Sequence, residues 1–576
     1  MKIVLASLNA RYIYSNLALY ELRSFCQTLP HQFIIKEYTI NEQVLDIAGD
    51  LHRKKAELIA FSCYIWNIEP ILKICAVLKK TNPQLMIVLG GPEVSYDPEE
   101  ILNSNSALDV VIPGEGEESF YQFLESCGKE HAFENIPGLV WRNKHQVVRN
   151  IARPLIQDLD RLPFPFTGED LIRFAGKIVY FETSRGCPFH CQYCLSSTIP
   201  GVRFFSLDRV KNDLEKLISA GVKQVKFVDR TFNCHRQRTK EILAFLLRFK
   251  DRPINFHFEI AADLLDDEMI DLMGEAPAGF FQVEIGVQST NPRVLELIQR
   301  KMDFAKVREE VTKLRSKGNV HLHLDLIAGL PGENLSSFAQ SFDHVYNLGP
   351  DHLQLGFLKL LKGSGLRNRA QDFGLCFADH PPYEILMTGQ ISFDEMVELK
   401  KIEDIVEQYY NGRKYRYTLD YAINHRHLSP FQFYRGLARF WERTTWERML
   451  RPETKTKLLL EYLIEIFPQD DAALFYDLVK LDWLLAEPRN TIPPWLGGGG
   501  KQDRTIDFGA YLPWAKGKTL KEIYKKIAVE EFQYLFVLDQ DQGKIIAVEK
   551  KPCRGIIDYT RPTSSAIFIH PEKSGQ

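Results

Sequence analysis

The sequence of 576 residues predicts an α/β protein of about three domains. Short apolar strands alternate with helical segments in two successive series, which is typical of parallel sheets covered by helices. The alternation stops in the last third of the chain. We therefore expect a first domain over residues 1–150, a linker over 151–177, a second domain over 178–370 and an accessory domain over 371–576.

The first domain is predicted to be a doubly wound, Rossmann-like sheet. Helical segments such as residues 68–80 separate its strands, and a hairpin with Asn143 and Lys144 near its tip follows the last of them. Three prolines within residues 154–166 mark the linker. In such a sheet, ligands bind beyond the carboxyl ends of the strands. The predicted strands are residues 2–8, 33–40, 58–64, 85–91 and 109–114.

The second domain is predicted to be a partial (β/α)6 barrel of the TIM type. Six strand–helix units of about 30 residues each are visible, with helices such as residues 208–220 and 303–317. Barrel enzymes place functional side chains at the carboxyl ends of the strands. The predicted strands are residues 178–184, 224–229, 254–260, 281–289, 320–330 and 352–360.

The accessory domain is predicted to be mostly helical and to end in a β-hairpin. Helical periodicity covers residues 394–411, 430–450 and 455–485. The hairpin covers residues 532–551 and is expected to turn at Asp539–Gly543.

A basic segment lies within the accessory domain, although the net charge of the chain is −3. Residues 411–451 contain nine Lys or Arg against three Asp or Glu, and Arg435, Arg439 and Arg443 share one helix face. Together with interleaved aromatic side chains, this face could bind an anionic substrate, and nucleic acid is not excluded as a partner. The alternative is an amphipathic helix whose arginines pair with acidic neighbours.

The sequence shows no sign of a membrane or secreted protein. No apolar stretch approaches the roughly 18 residues needed to cross a bilayer. The N-terminus has one lysine and a short apolar run that continues into polar residues, so we interpret it as a first strand and not as a secretory signal. We expect a cytoplasmic protein without a membrane span.

Three of the ten cysteines crowd into one short loop. Cys187, Cys191 and Cys194 form a CxxxCxxC pattern directly after a predicted strand. Soft thiolates favour iron–sulfur clusters or zinc. Three cysteines on one loop can hold three irons of a [4Fe–4S] cluster and leave the fourth iron open for chemistry. The alternative is a structural zinc site completed by His190 or by a distant residue such as Cys234.

With the aromatic Tyr193 before its third cysteine, this loop resembles the signature of the radical SAM superfamily. The resemblance implies that Cys187, Cys191 and Cys194 are catalytic residues and the metal ligands of a [4Fe–4S] cluster. S-adenosylmethionine (SAM) would bind the open iron, and an electron donor of the flavodoxin or ferredoxin type would drive its reductive cleavage. The 5′-deoxyadenosyl radical so formed would abstract hydrogen from a substrate carbon.

Residues at other strand ends agree with this resemblance. Asp229 ends the second barrel strand, and the resemblance implies that it receives the SAM ammonium; the alternative is a helix N-cap. Glu259 lies inside an apolar strand and needs a partner, for which a ribose hydroxyl is suitable. Gln288 lies in the segment EIGVQST, which resembles the fifth motif region of the same superfamily, and the resemblance implies that Gln288 contacts SAM or substrate. The segment around Ala328 and Gly329 resembles the sixth strand of oxygen-independent coproporphyrinogen oxidases, which implies a backbone approach to adenine.

The first domain carries a second resemblance, in the loops that follow its strands. The sequences LGGPEVS and IPGEGEESF resemble the cobalamin-binding domain of B12-dependent radical SAM proteins. No DxHxxG motif is present, which implies cobalamin without a histidine ligand; Tyr64 or Trp66 could then cover its lower face, and core packing is the alternative for both. A flavodoxin-like domain without ligand is the alternative for the whole segment. The candidate cobalamin contacts are Ser62, Tyr64, Trp66, Gly90, Gly91, Pro92, Glu93, Gly114, Glu115 and Gly116.

The two resemblances together imply a cobalamin-dependent radical SAM methyltransferase. It would act on an unactivated carbon of an unknown substrate through the 5′-deoxyadenosyl radical and methylcobalamin. A cobalamin-dependent cyclase or oxidoreductase without methyl transfer is one alternative. A methylthiotransferase fits less well, because residues 1–150 lack the further cluster cysteines of that class. A non-catalytic binding protein that responds to cobalamin or SAM is the alternative of another class.

Overall fold

The computed structural model describes residues 1–10, 15–129, 133–144, 146–444, 450–486, 492–496, 506–540, 543–560 and 565–569. The chain divides into two compact units. The first comprises residues 1–334 and 356–393, and the second comprises residues 335–355 and 394–576. The domain boundaries expected from the sequence stay predictions.

The N-terminal part of the first unit is a doubly wound sheet, as predicted. Its strands have the order β2–β1–β3–β4–β5–β6–β7; the first five are parallel, and the hairpin β6–β7 adds two antiparallel strands. All five residues of β3 are buried, which is typical of a parallel strand covered on both faces. The elements are β1 (Lys2–Asn9), α1 (Leu17–Phe25), β2 (Gln32–Thr39), α2 (Val44–Arg53), β3 (Leu58–Ser62), α3 (Ile68–Thr81), β4 (Met86–Gly90), α4 (Pro98–Ser104), β5 (Val110–Ile112), α5 (Glu117–Ser126), β6 (Val140–Asn143) and β7 (Gln146–Arg149).

The next part of the first unit contains the barrel strands. They alternate with helices and pair in parallel, and the hairpin β9–β10, which the sequence analysis did not predict, interrupts the series after the first strand. The elements are α6 (Gly168–Phe174), β8 (Ile178–Phe181), β9 (Ser184–Gly186), β10 (Val202–Phe204), α7 (Leu207–Ser219), β11 (Gln224–Phe227), α8 (Arg236–Leu247), β12 (Asn255–Ile260), α9 (Asp267–Gly274), β13 (Phe281–Gln288), α10 (Pro292–Leu297), α11 (Phe304–Ser316) and β14 (His321–Ala328).

The chain then passes through elements that complete the barrel sheet. Its strand order is β15–β14–β13–β12–β11–β8, which gives the six strands that the sequence predicts. The last two residues of β15 and the short strands β16 and β17 belong to the first unit, whereas α12 belongs to the second. The elements are α12 (Leu335–Tyr346), β15 (His352–Phe357), α13 (Gly365–Asn368), β16 (Cys376–Phe377) and β17 (Ile385–Met387).

The second unit is mostly helical, and the predicted hairpin is present as β19–β20; residues 541 and 542 of its turn lie outside the described part. The range 455–485 contains two helices, interrupted near Pro468, because proline cannot continue a helix. A three-stranded antiparallel sheet, β18–β21–β22, was not predicted. The elements are α14 (Phe393–Val406), α15 (Arg416–Asp420), α16 (Pro430–Thr444), α17 (Pro452–Ile466), α18 (Ala472–Ala486), α19 (Phe508–Tyr511), α20 (Leu520–Ile523), β18 (Ile527–Phe532), β19 (Leu535–Asp539), β20 (Lys544–Glu549), β21 (Cys553–Asp558) and β22 (Ser565–Ile569).

The arginine face of α16 is occupied by acidic side chains. Arg435 and Arg439 both donate to Glu398, at 2.8 and 2.7 Å, and Arg443 donates to Glu465 at 2.7 Å. This pairing favours the amphipathic-helix interpretation over an anion-binding face. Every helix among the described residues is too short or too polar to cross a bilayer.

Candidate cofactor site

The cysteine loop leaves the carboxyl end of β8 and is bracketed by the hairpin β9–β10. Cys191 is buried, Cys187 and Cys194 are partly exposed, and none of the three forms a disulfide. The Sγ atom of Cys187 lies 3.5 Å from the hydroxyl of Thr231, in the loop after β11. The structure therefore places three free thiols at the edge where barrel enzymes carry their active sites.

Arg300 lies beside this loop and was missed by the sequence analysis. Its Nη1 atom lies 3.7 Å from the Sγ atom of Cys191 and 3.2 Å from the Tyr193 hydroxyl, and its Nη2 donates to the carbonyl of Gly286. Burial raises the pKa of Cys191, and the Arg300 guanidinium acts in the opposite direction. A partly buried cation beside the thiols suits a donor set that must carry negative charge when it holds iron.

The loop folds in this way because glycine and backbone hydrogen bonds fix it. Gly186, the last residue of β9, has a φ of 96°, and a Cβ atom there would overlap the backbone carbonyl of Gly201. The amide of Gln192 donates to the carbonyl of Ile298 at 2.9 Å, and the carbonyl of Gln192 accepts from the amide of Leu366 at 2.9 Å.

The donor set fits a [4Fe–4S] cluster, whose three thiolates bind three different irons. Within the described ranges, no three His, Cys, Asp or Glu side chains converge on the position of a single metal ion. His190 and Cys234, the residues considered for a zinc site, thus do not form such a set with the loop cysteines in this arrangement.

Asp229 is buried at the end of β11 and already accepts three hydrogen bonds. Its Oδ1 accepts from the hydroxyls of Thr183 at 2.6 Å and Ser184 at 2.5 Å, and its Oδ2 accepts from the amide of Thr183 at 2.9 Å. These bonds tie the start of the cysteine loop to β11. A contact between Asp229 and the SAM ammonium stays a prediction.

Ionisable side chains of four neighbouring strands form a polar layer within the barrel sheet. Glu284 accepts from Lys226 at 3.3 Å and lies 3.1 Å from Nε2 of His257, while His323 and Asp325 lie 3.1 Å apart. Burial raises the pKa of Glu284, but His257 and Lys226 lower it to about 2 overall. The residues of the layer are Lys226 on β11, His257 and Glu259 on β12, Glu284 on β13, and His323 and Asp325 on β14.

Glu259 differs from its neighbour Glu284 because its partly buried carboxyl forms no ion pair with a cation among the described residues. Burial, together with the charges of Glu284 and Asp325, raises its pKa to about 7, although Arg230 and Lys226 act against the rise. At neutral pH the protonated form of this side chain is therefore populated, and that form can donate as well as accept a hydrogen bond. Contact with a ribose hydroxyl stays a prediction.

Replacing Glu259 with Gln is expected to remove a pH-dependent loss of stability. Between pH 4.5 and about 7 the folded protein keeps a proton that the unfolded chain releases, so the free energy of unfolding falls as the pH rises. The total fall is about 3 kcal/mol, and Glu259→Gln should lack it. Urea unfolding of both proteins across this pH range measures the difference.

Glu284→Gln provides the control with the opposite sign. The depressed pKa of Glu284 stabilises the folded protein above pH 4.5, and this stabilisation is lost as the pH falls. The free energy of unfolding of Glu284→Gln should therefore fall furthest below that of the parent protein at neutral pH. Parallel pH profiles for the parent protein and Glu259→Gln would contradict the expected role of burial at Glu259.

Gln288 combines two unusual features at the end of β13. Its φ of 72° lies in the left-handed region, beside a register shift between Gly286 and Gln288. Its Oε1 atom is buried and has no hydrogen-bond partner among the described residues. Strain and an unsatisfied acceptor are typical of binding sites, and they support the prediction that Gln288 contacts SAM or substrate.

Ala328 and Gly329 end β14 at the same edge. Ala328 is fully buried, and its carbonyl already accepts from the amide of Leu358 at 2.9 Å. Gly329 turns the chain with a φ of 87°, a conformation that favours glycine. Their contact with adenine stays a prediction.

In the N-terminal sheet, the loop after β3 presents a stacked aromatic pair. The rings of Tyr64 and Trp66 lie 4.4 Å apart and are nearly parallel, and Trp66 is 45% exposed. Asn67, which the sequence analysis missed, holds this turn: it accepts from the amide of Tyr64 at 2.7 Å and donates to the carbonyls of Ser62 and Leu8 at 3.0 and 3.1 Å. The exposed ring favours a ligand-facing role for the pair over core packing.

The loop after β4 turns inward at Gly91 and Glu93. Gly91 has a φ of 106°, and a Cβ atom there would lie 2.6 Å from the carbonyl oxygen of Cys63, so glycine is needed for the approach of two backbones. The buried carboxyl of Glu93 accepts from the hydroxyl of Tyr383 at 2.5 Å. Gly90 and Pro92 flank this turn, and their contact with cobalamin, like that of Glu93, stays a prediction.

In the loop after β5, Gly114 has different surroundings from Glu115 and Gly116. Gly114 has a φ of 77° and no atom within 4 Å of a Cβ position, so its backbone borders open space. Glu115 instead binds Arg203 of β10, at 2.6 Å. Gly116 packs beside Leu22 of α1. Gly114 thus borders open space although its amide donates to the Ser95 hydroxyl at 3.0 Å, whereas the Glu115 carboxylate is directed to the cysteine hairpin.

Comparison with protein families identifies three successive segments. The model of the "B12 binding domain" matches residues 3–124, that of the "Radical SAM superfamily" matches residues 181–345, and that of the "Protein of unknown function (DUF4080)" matches residues 371–551. The radical SAM domain uses a [4Fe–4S] cluster and SAM and needs an electron donor, and the B12-binding domain holds cobalamin.

Curated relatives and a solved structure are similar to large parts of this chain. An uncharacterized methyltransferase of Pyrococcus horikoshii is 27% identical over 54% of this chain and 68% of its own length. The cobalamin-dependent radical SAM methyltransferase TokK of Streptomyces tokunonensis is 26% identical over 66% of this chain and 61% of its own length.

The solved structure is that of the cobalamin-dependent S-adenosylmethionine radical enzyme OxsB, with aqua-cobalamin and S-adenosylmethionine bound. It matches 84% of this chain and 78% of its own with a TM-score of 0.60 at 15% identity, which shows a shared fold. The chain therefore carries, in this order, a B12-binding segment, a radical SAM segment and a DUF4080 segment.

Proposed function

We propose that this chain is a cobalamin-dependent radical SAM methyltransferase that methylates an unactivated carbon. One observation carries the proposal: the loop after β4 of the B12-binding domain adjoins the cysteine loop. The hydroxyl of Tyr96 lies 2.8 Å from that of Thr198, four residues after Cys194. Methyl transfer to a substrate radical requires the methyl donor and the radical source to act on one substrate, and this proximity supports that arrangement.

The residues divide between the two cofactors in this proposal. When bound, the reduced cluster and SAM supply the 5′-deoxyadenosyl radical that removes a hydrogen atom from the substrate, and cobalamin supplies the methyl group that replaces it. Cys187, Cys191 and Cys194 hold the cluster, and Arg300 offsets their charge. The other predicted contacts orient SAM and exclude water, which is the part that a protein plays in cofactor chemistry.

Methyl transfer is preferred over the alternatives because of the relatives. TokK and the Pyrococcus horikoshii relative are named as methyltransferases, and they match 66% and 54% of this chain. A cyclase or oxidoreductase without methyl transfer is the second candidate, and a non-catalytic binding protein is the third. An anionic substrate, a flavodoxin- or ferredoxin-type donor and a cytoplasmic location stay predictions.

The proposal is tested with anaerobically reconstituted protein, SAM, a reductant and hydroxocobalamin. S-adenosylhomocysteine, methylcobalamin and 5′-deoxyadenosine are quantified by mass spectrometry. We expect S-adenosylhomocysteine to form only with cobalamin and in equal amount to methylcobalamin. Deoxyadenosine without methylcobalamin would favour the cyclase or oxidoreductase, and the absence of both products from protein loaded with both cofactors would favour a binding protein.

A further inference from the structure

The hairpin that brackets the cysteine loop carries two arginines on the same face. The register of β9 and β10 places Arg185 directly opposite Arg203, and Arg185 is two residues before Cys187. Like charges directly opposite each other destabilise an antiparallel pair unless other groups neutralise them. The hairpin therefore depends on carboxylates from outside its own two strands.

Most of those carboxylates come from the B12-binding domain. Glu115 binds Arg203 through both oxygens, at 2.6 and 3.1 Å, and lies 3.6 Å from Arg185. Glu117 accepts from Arg185 at 2.6 Å, and Glu21 of α1 lies 3.6 Å from it. The barrel itself contributes Glu182, at 2.8 Å from Arg185.

These ion pairs are shielded from solvent. The side chains of Arg185 and Arg203 are 12% and 9% exposed, and those of Glu115 and Glu117 are 13% and 6% exposed. Ion pairs as buried as these are weakly screened by salt, and removal of one partner leaves a buried charge without its counter-ion.

Glu115 also fixes the chain that joins the two domains. Its Oε2 accepts from the amide of Ile156 at 3.0 Å, and Arg203 donates to the carbonyl of the same residue. The carboxylate of Glu115 thus contacts the linker and the cysteine hairpin at once. The backbones of the neighbouring Gly114 and Gly116 take no part in these two contacts.

We infer that Glu115 and Glu117 are positioning residues for the iron–sulfur cluster, acting through Arg203 and Arg185. The loop predicted to contact cobalamin would thereby also set the place of the cysteine hairpin. The inference goes beyond the proposed function, because it concerns the placement of the cluster and does not depend on methyl transfer.

The test uses the full chain with Glu115→Gln, Arg203→Gln and the double variant, each reconstituted anaerobically. Iron and sulfide content, the electron paramagnetic resonance spectrum of the reduced cluster with SAM, and hydroxocobalamin binding by visible absorption are measured. Glu118→Gln is the matched control, because Glu118 lies beside Glu117 on α5 but pairs with Arg153 and Arg161, both at 3.2 Å.

We expect each single variant to lose its cluster about tenfold faster than the parent protein and to shift the resonance spectrum, with hydroxocobalamin binding retained. The double variant should recover much of the cluster, because it leaves no buried charge unpaired, and Glu118→Gln should match the parent protein. The inference is overturned if the cluster is unaltered in the single variants or if the double variant recovers nothing. It is also overturned if cobalamin binding is lost, alone or together with the cluster, since Glu115 would then serve the cobalamin site or the fold of its domain.

Discussion

Cys191→Ala is expected to reduce the formation of 5′-deoxyadenosine from SAM more than about a thousandfold. Cys191 is the buried member of the cysteine loop, and its Sγ atom lies beside the Arg300 guanidinium. Without this thiol the loop offers two ligands, and a cluster held by two thiolates lacks the protein ligand of a third iron. Iron content, the visible absorption of the cluster and deoxyadenosine yield are measured on the same preparation.

Cys234→Ala is the matched control for this prediction. Burial raises the pKa of Cys234 to about 11, with Asp229 and Cys187 adding to the rise, so this thiol shares the surroundings of the loop without belonging to it. We expect Cys234→Ala to retain cluster and activity. Equal losses in the two variants would show that Cys234 is a ligand and would revive the alternative of a four-ligand metal site.

Gly186→Ala should have the second largest effect, because it distorts the cysteine hairpin without removing a ligand. An alanine there must adopt a φ of 96°, and its methyl group would overlap the carbonyl of Gly201, the residue before the facing strand β10. We expect a loss of at least about 2 kcal/mol in the local stability of the hairpin and, as a result, little bound iron. Hydrogen exchange of the hairpin amides and iron content measure the two effects.

Gly201→Ala separates steric overlap from backbone conformation in the same hairpin. Gly201 has a φ of 72°, but no atom lies within 4 Å of a Cβ position there. Only the left-handed conformation is then unfavourable for alanine, which costs about 1 kcal/mol. If Gly186→Ala bound as much iron as Gly201→Ala, the close approach to the Gly201 carbonyl would not be what shapes the loop.

The periodicity of the chain was sufficient to predict the two α/β series. Parallel strands buried on both faces are continuous apolar runs, and β3 and β4 are of this kind. The cysteine loop was also predictable, because its three cysteines lie within eight residues and can be recognised without knowledge of the fold. Local sequence is sufficient to predict a feature when that feature depends on residues that are neighbours along the chain.

The remaining parts of the site depend on residues that are distant in sequence. Arg300 is more than a hundred residues from Cys191, and Tyr383 is 290 residues from Glu93. The hydrogen-bond partners of the Glu93 and Glu115 carboxylates were not predictable. The glycine-rich sequences around them indicate loops, but they do not indicate which distant side chain each carboxylate contacts. The small strands β9 and β10 were missed since three residues are too few for a periodic pattern.

The contact between Tyr383 and Glu93 bears on how chains of this kind could recombine. The DUF4080 match begins at residue 371, whereas the compact unit that contains the B12-binding domain continues to residue 393. A crossover at residue 371 that exchanged this segment for one without a tyrosine at this position would leave the buried Glu93 carboxyl without its hydroxyl donor. The B12-binding segment and the part of the chain that carries Tyr383 are therefore expected to be inherited together.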